Sequence, residues 1–169
     1  MSRPPNHQWC YKLLASLLWL GMTLLGPTLF AAETTVSSAD SDLPRHPLEV
    51  LALTDPDQVL DLIPQKLRDA TERGDGGELA LLHLAHANAC RMVADWNCQR
   101  IAGARAREQG DAANQPILSI RGLIAEARAD ISMQDYSGGE RLLGEAEKRL
   151  RITPSGELSA DVALAYSAL

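Results

Sequence analysis

Residues 77–95, GELALLHLAHANACRMVAD, carry the clearest structural signal in the chain. Apolar side chains recur there at intervals of three and four residues, the spacing of one face of an α-helix. They are Leu79, Leu82, Ala85, Ala89, Met92 and Val93. The stretch therefore predicts an amphipathic helix of about five turns whose apolar stripe faces the protein core.

The same period continues on both sides of this stretch. Upstream, Asp55-Pro56-Asp57 supplies an N-cap, a proline suited to the first helical position and an acidic residue near the helix N-terminus. Pro64 either kinks that helix or restarts it, and Gly74 ends it. Downstream, helices are predicted over residues 98–109 with a stop at Gly110, from residue 116, after the turn at 135–136, and after residue 156. No segment has a strand pattern, so the sequence predicts an all-α fold.

Residues 1–32 have the features of a targeting segment. Arg3 and Lys12 form a positive N-terminal region, residues 13–30 contain no charge, and the small residues Ala31 and Ala32 follow. We interpret residues 1–32 as a signal peptide or membrane anchor and the polar residues 33–54 as a linker. Either alternative exports the remainder of the chain, to the periplasm or to the periplasmic face of the inner membrane.

The exported part is acidic. The whole chain has a net charge of -6, and residues 1–32 contribute two positive charges and no negative ones, so the remainder carries about -8. A surface of this sign argues against a nucleic-acid partner.

Short sequence repeats indicate that the helices come in pairs. Residues 72–75 (ERGD) return as residues 108–111 (EQGD) after 36 positions, and Asp95-Trp96 returns as Asp135-Tyr136 after 40. Periods of this size are typical of stacked helical hairpins. We therefore predict that residues 55–169 form an α-solenoid of stacked antiparallel helical hairpins, which offers a concave surface to a protein or peptide.

Residues 134–150, QDYSGGERLLGEAEKRL, resemble the turn and second helix of a tetratricopeptide repeat. Counting from Tyr136, the repeat expects a small residue at Gly139, a large one at Leu143 and a small one at Ala146, and Ala127 fits a small position of the first helix. The resemblance implies that these residues pack neighbouring helices together. The pattern departs from the family at Pro154, where the closing proline is displaced, and in the preceding hairpin at Gln99 and Gly103.

A narrower resemblance concerns the whole chain. A signal segment, a degenerate repeat array and the closing SADVALAYSAL (residues 159–169) are similar to the periplasmic N-terminal region of membrane-bound diguanylate cyclases. That likeness implies a sensing or docking role, with catalysis in a GGDEF domain that this chain does not contain. Leu169 lies within an apolar helix that has no C-terminal capping signal, so we expect a truncated chain with a further membrane-associated part.

Two cysteines eight residues apart raise the question of a metal site. His83, His86 and Cys90 lie on one side of the predicted helix and Cys98 could join them, and all four are good zinc or copper ligands. The alternative is a Cys90–Cys98 disulfide, which an oxidising compartment favours and which a helical turn brings within bonding range. A redox-active pair is disfavoured because such pairs are usually two residues apart in a βαβ setting.

Catalytic signatures are not evident in the sequence. Residues 137–140, SGGE, resemble part of the GGDEF motif but continue into a helix, where adjacent glycines serve close packing. We find no Ser-His-Asp order, phosphate loop or paired catalytic carboxylates. The sequence therefore predicts a non-catalytic module without a cofactor that binds a protein or peptide, with a small periplasmic metal-binding protein as the alternative.

Overall fold

The computed structural model describes residues 43–169, so the predicted targeting segment and the first part of the predicted linker lie outside the described residues. This part of the chain is all-α and contains no strand, which confirms the predicted class. Its seven helices are α1 (Pro47–Leu51), α2 (Pro56–Arg73), α3 (Gly76–Met92), α4 (Trp96–Ala112), α5 (Pro116–Ser132), α6 (Tyr136–Leu150) and α7 (Gly156–Tyr166). Across residues 43–169 no helix combines the length and apolarity needed to cross a membrane.

The helices pack in chain order, each against its successor. A second set of contacts joins alternate helices, because α1 touches α3, α3 touches α5 and α5 touches α7. Buried side chains accordingly form a core that runs along the sequence, with one cluster among α1, α2 and α3, a second among α3, α4 and α5, and a third among α5, α6 and α7.

Helix α3 belongs to two of these clusters. The predicted stripe residues Leu82, Ala85 and Ala89 face the first cluster, whereas Leu84 of the same helix is buried in the second. Met92 and Val93, the last members of the predicted stripe, are exposed. A helix between two neighbours buries more than one face, so a single apolar stripe underestimates its burial.

The four turns between α2 and α6 share one geometry. Each contains a residue in the left-handed region just before the next N-cap, namely Gly74, Ala94, Asn114 and Gln134. The N–H of the N-cap residue donates to the carbonyl five positions earlier, from 2.8 Å for Gln115 to 3.1 Å for Asp75. This bond defines the Schellman motif of helix C-termini. The motif recurs every 20 residues, so a helix pair has a period of 40.

This 40-residue period shows that one of the two predicted repeat offsets is wrong. The 40-residue offset between Asp95-Trp96 and Asp135-Tyr136 matches the structure, but the 36-residue offset between residues 72–75 and 108–111 does not. Gly110 lies inside α4 and does not stop it. A Cβ atom at Gly110 would lie 2.6 Å from the backbone nitrogen of Ser119 in α5, so the glycine is required for close helix packing.

Close approach of α4 and α5 also explains Gly103, which departs from the tetratricopeptide pattern. A Cβ there would lie 2.7 Å from the backbone nitrogen of Glu126, and a Cβ at Gly122 would lie 2.5 Å from that of Arg107. Two helix backbones meet at these glycines, and a side chain at either position would force them apart.

Two further segments refine the predictions. Of the two alternatives for Pro64, the structure shows a single helix, α2, with the proline inside it. Part of the predicted 33–54 linker is folded, because α1 forms there and buries Leu48 and Ala52 against the first core cluster. A five-residue helix has too few periodic positions to be recognised from the sequence.

The recurring turn predicts opposite effects for two matched substitutions. Gln134→Gly should raise the free energy of unfolding by about 1 kcal/mol, because glycine adopts the left-handed conformation without steric cost. Gly74→Ala should lower it by about 1 kcal/mol for the same reason. A Cβ at Gly74 would meet no atom within 4 Å, so no packing change adds to the effect. Urea unfolding measures both values, and shifts of equal sign would contradict the strain argument.

Candidate functional site

The alternate helices α1, α3, α5 and α7 form one continuous surface, which we call the odd-helix face. A cavity of about 210 Å³ lies on it, with Gln99 of α4 at its edge. Its other lining residues are Leu43, Arg45, Glu49, Val50, Leu53, Leu84, Asn88, Arg91, Arg121, Ile124, Ala125, Arg128, Glu157, Leu158 and Asp161. The lining combines arginine side chains, carboxylates and aliphatic groups, which suits a peptide better than a small apolar molecule.

A buried carboxylate lies on this face. Glu49 of α1 is 5% exposed and forms an ion pair with Arg121 of α5, which is 12% exposed. Its carboxylate also accepts hydrogen bonds from the Asn88 side chain at 3.3 Å and from the His46 backbone at 3.1 Å. These donors compensate for the loss of hydration and hold α1, α3 and α5 together.

His46 orients the start of α1. Its Nδ1 accepts a hydrogen bond from the Leu48 backbone at 3.1 Å, which leaves Nε2 to carry the proton. Nε2 lies 3.3 Å from a carboxylate oxygen of Glu78 in α3. The bond from Leu48 to Nδ1 and the bond from the His46 backbone to Glu49 form a capping box at the start of α1. The contact with Glu78 then joins this cap to α3.

The segment before α1 crosses the same face and ends with His46 in an extended conformation. The backbone carbonyl of Pro44 accepts a hydrogen bond from Arg121 Nη1 at 2.6 Å, and Arg45 forms an ion pair with Glu157 of α7. Leu43 is half-buried against the core cluster of α5, α6 and α7. The 43–46 segment thus spans the face from α1 to α7.

A second cavity, of about 410 Å³, adjoins the first. Arg91, Gln99 and Arg128 line both cavities. Arg128 is held by Asp161 of α7 at 2.9 Å, and Gln99 is buried and donates to the backbone carbonyl of Ala125 at 3.1 Å. The latter bond explains why a polar residue replaces the small one that the repeat pattern expects there.

The cysteines form the predicted disulfide. Cys90 lies in the last turn of α3 and Cys98 in the first turn of α4, with a Cα–Cα distance of 5.7 Å. The Cys98 backbone N–H also donates to the Asp95 side chain at 2.9 Å. The crosslink therefore joins the two helices directly across their turn.

His86 completes a three-residue cluster around this disulfide. Its Nε2 is 3.4 Å from Cys98 Sγ, and the ligand atoms of His86, Cys90 and Cys98 all lie within 4.8 Å of one another. His83 does not belong to this cluster, although the sequence grouped it there, because it lies about one helical turn before His86. In the part of the chain that the structure describes, His83 Nδ1 is buried without a hydrogen-bond partner.

Burial favours the neutral form of both histidines. Burial, aided by His86 and Arg105, lowers the pKa of His83 to about 4. Burial also lowers the pKa of His86, partly opposed by the nearby carboxylate of Asp95. A neutral imidazole has a free lone pair on one ring nitrogen, so His86 could coordinate a metal ion.

Four of the five residues predicted to pack the repeat lie inside the third core cluster or against it. Ala127, Leu143 and Ala146 are fully buried, and a Cβ at Gly139 would lie 2.6 Å from the Ile131 side chain. Tyr136 differs from the prediction because it is 50% exposed. It is the first residue of α6, at the turn, where the neighbouring helices do not cover it.

No protein-family model matches this chain, and neither a curated protein nor a solved structure is similar enough to count as a match. The assignment of function therefore depends on the residues and contacts described above.

The buried ion pair generates a stability prediction. Glu49→Gln should lower the free energy of unfolding by about 3 kcal/mol, because Arg121 would keep its charge without its partner. Glu108→Gln is the matched control: its exposed pair with Arg105 should contribute about 0.5 kcal/mol or less.

A double substitution separates charge from packing. Glu49→Leu with Arg121→Met should recover most of the loss, since neither charge is then buried. Chemical denaturation measures all four chains, and equal effects of the Glu49 and Glu108 substitutions would contradict a buried pair.

Proposed function

We propose that this chain is a non-catalytic, exported helical-repeat module, tetratricopeptide-like in design, that binds a protein or peptide on its odd-helix face. The observation that carries the proposal is this face, where four arginines, several carboxylates and exposed aliphatic side chains surround two adjoining cavities. Such mixed surfaces recognise extended segments through backbone and side-chain contacts together.

The repeat geometry supports a solenoid. Identical turns at 20-residue intervals give hairpins of 40 residues, and contacts between alternate helices are those expected of stacked hairpins. A tetratricopeptide repeat has about 34 residues, so this array has longer units than that family. The resemblance to tetratricopeptide repeats therefore concerns the antiparallel hairpins and the residues that pack them, and not the length of the repeat. These residues are Ala127, Gly139, Leu143 and Ala146.

The wider role that we propose is that of an N-terminal sensor of a membrane signalling protein of the diguanylate cyclase type. Its support is the resemblance of the chain to the periplasmic region of such proteins, together with the apolar segment near the N-terminus. In this role residues 43–169 would bind a partner in the periplasm, and the catalytic domain would belong to a longer form.

Export is supported by the chemistry of the chain. A disulfide persists in oxidising compartments, so the Cys90–Cys98 bond supports export. The acidic balance of residues 33–169 concerns the partner instead, because it disfavours nucleic acid. A phosphatase reporter that acts only outside the cytoplasm, fused after residue 50, should be active. Activity of a matched cytoplasmic reporter at the same position would contradict export.

The binding face is tested by cross-linking in the native cell. Leu53 lines the cavity on the odd-helix face and is 55% exposed, whereas Ile101 of α4 lies outside both cavities and is 52% exposed. A photo-cross-linking residue at position 53 should capture a partner protein, and one at position 101 should not. Capture from both positions, or from position 101 alone, would contradict the proposal.

The second candidate function is a small periplasmic metal-binding protein. The convergence of His86, Cys90 and Cys98 favours it, because two thiolates and an imidazole form a ligand set for zinc or monovalent copper. This function requires that the disulfide be open, since a thiolate, and not a disulfide sulfur, is the ligand.

Thiol titration of air-purified Cys10→Ser chain separates the two functions. The binding module predicts no reactive thiols, whereas a metal protein would give two thiols that disappear on adding zinc. Any zinc binding by the reduced chain should fall at least ten-fold in His86→Ala and stay unchanged in the matched His83→Ala, because only His86 faces the sulfur atoms. Equal losses would contradict the three-ligand cluster.

A further inference from the structure

We propose that the 43–46 segment, Leu-Pro-Arg-His, occupies the ligand position of the odd-helix face, and that the partner is an extended peptide with an apolar residue followed two positions later by a basic one. This inference rests on the proposed function and specifies the chemistry of the partner. Its basis is that the segment makes the contacts of a bound peptide while belonging to the same chain.

The contacts of the segment describe a binding pattern. Leu43 packs on the core cluster of α5, α6 and α7, the Pro44 carbonyl accepts a hydrogen bond from Arg121, and Arg45 pairs with Glu157. Three consecutive residues of the segment thus offer an apolar side chain, a backbone carbonyl and a cation, and each of these contacts a complementary group on the odd-helix face. A separate peptide that carries the same three groups would satisfy the same complementary groups.

Charge complementarity determines which charge the partner peptide carries at this position. Glu157 receives its cation from Arg45, whereas the nearby Asp161 already has a cation of its own in Arg128. Removal of the segment would therefore leave Glu157 without its counter-ion, so the vacated position favours a lysine or arginine. Arg121 would retain Glu49, and its Nη1 donor would be open to a peptide carbonyl.

The segment is weakly held compared with the helix that follows it. Arg45 is 54% exposed and Leu43 is only half-buried, and exposed ion pairs contribute little to stability. In α1, by contrast, Leu48, Glu49 and the following Ala52 are buried. The chain can therefore release residues 43–45 while His46, which caps α1, and α1 itself stay in place.

Because the segment and the partner compete for one position, the segment lowers the apparent affinity of the chain. A dye-labelled peptide with the core Leu-Pro-Arg should bind the full chain weakly. The double variant Leu43→Ser with Arg45→Glu should bind it about ten-fold more tightly, and Arg45→Ala, which removes only an exposed side chain, about three-fold more tightly. Fluorescence anisotropy gives these affinities, and circular dichroism verifies that each chain is folded.

The role of Glu157 as the partner of the basic side chain is tested by reversing its charge. Glu157→Arg added to Arg45→Ala, which leaves no charge at position 45 to pair with the new arginine, should abolish the gain for Leu-Pro-Arg and favour a Leu-Pro-Glu peptide. Glu108→Arg, which also breaks an exposed pair with an arginine, is the matched control and should leave both affinities unchanged.

Equal peptide affinities in the unsubstituted chain, the double variant and Arg45→Ala would overturn the inference, as would a Glu157→Arg chain that still prefers Leu-Pro-Arg. These results would leave the proposed function standing if cross-linking from position 53 succeeds. Failure of that cross-linking would instead count against the binding module itself.

Discussion

The turn that recurs every 20 residues is the constraint on which the rest of the structure depends. Its hydrogen bond from the N-cap N–H to the carbonyl five residues earlier fixes where each helix stops, and Asp75, Asp95 and Asp135 then cap the next helix through their carboxylates. Equal helices reversed by equal turns place alternate helices side by side, as the contacts among α1, α3, α5 and α7 show. The odd-helix face is a direct consequence of that spacing.

Close spacing of the helices also determines the composition of the core. At the crossing of α4 and α5 the backbones are too near for any side chain at Gly103, Gly110 or Gly122, and Ala102 and Ala106 are buried beside them. Aromatic residues make up only 4% of the chain, which follows from this demand for small side chains. Tighter packing lets short helices bury enough surface without large rings.

Local features of the site were predictable and long-range ones were not. Asp95 and Asp135 as turn residues, the Cys90–Cys98 bond and the helical class all follow from spacing along the chain. Ala94, Asn114 and Gln134 adopt a conformation that glycine usually signals. The turn at Asn114 was therefore missing from the predicted repeats, and Gly110 was wrongly predicted to end α4. The ion pair of Glu49 with Arg121 joins residues 72 positions apart, and no local pattern encodes such a contact.

The disulfide also affects the geometry of the odd-helix face. Arg91 follows Cys90 and Gln99 follows Cys98, and both of these neighbours line the two cavities. A bond between the cysteines therefore fixes the distance between the cavity residues of α3 and α4, while the Gln99 amide ties α4 to α5 through Ala125. The hairpin of α5 and α6 lacks cysteines and keeps its geometry by packing Ala127, Leu143 and Ala146. In the proposed binding function the crosslink would give the face a rigid edge, because two helices that bind a ligand between them must keep a fixed separation to bind it specifically.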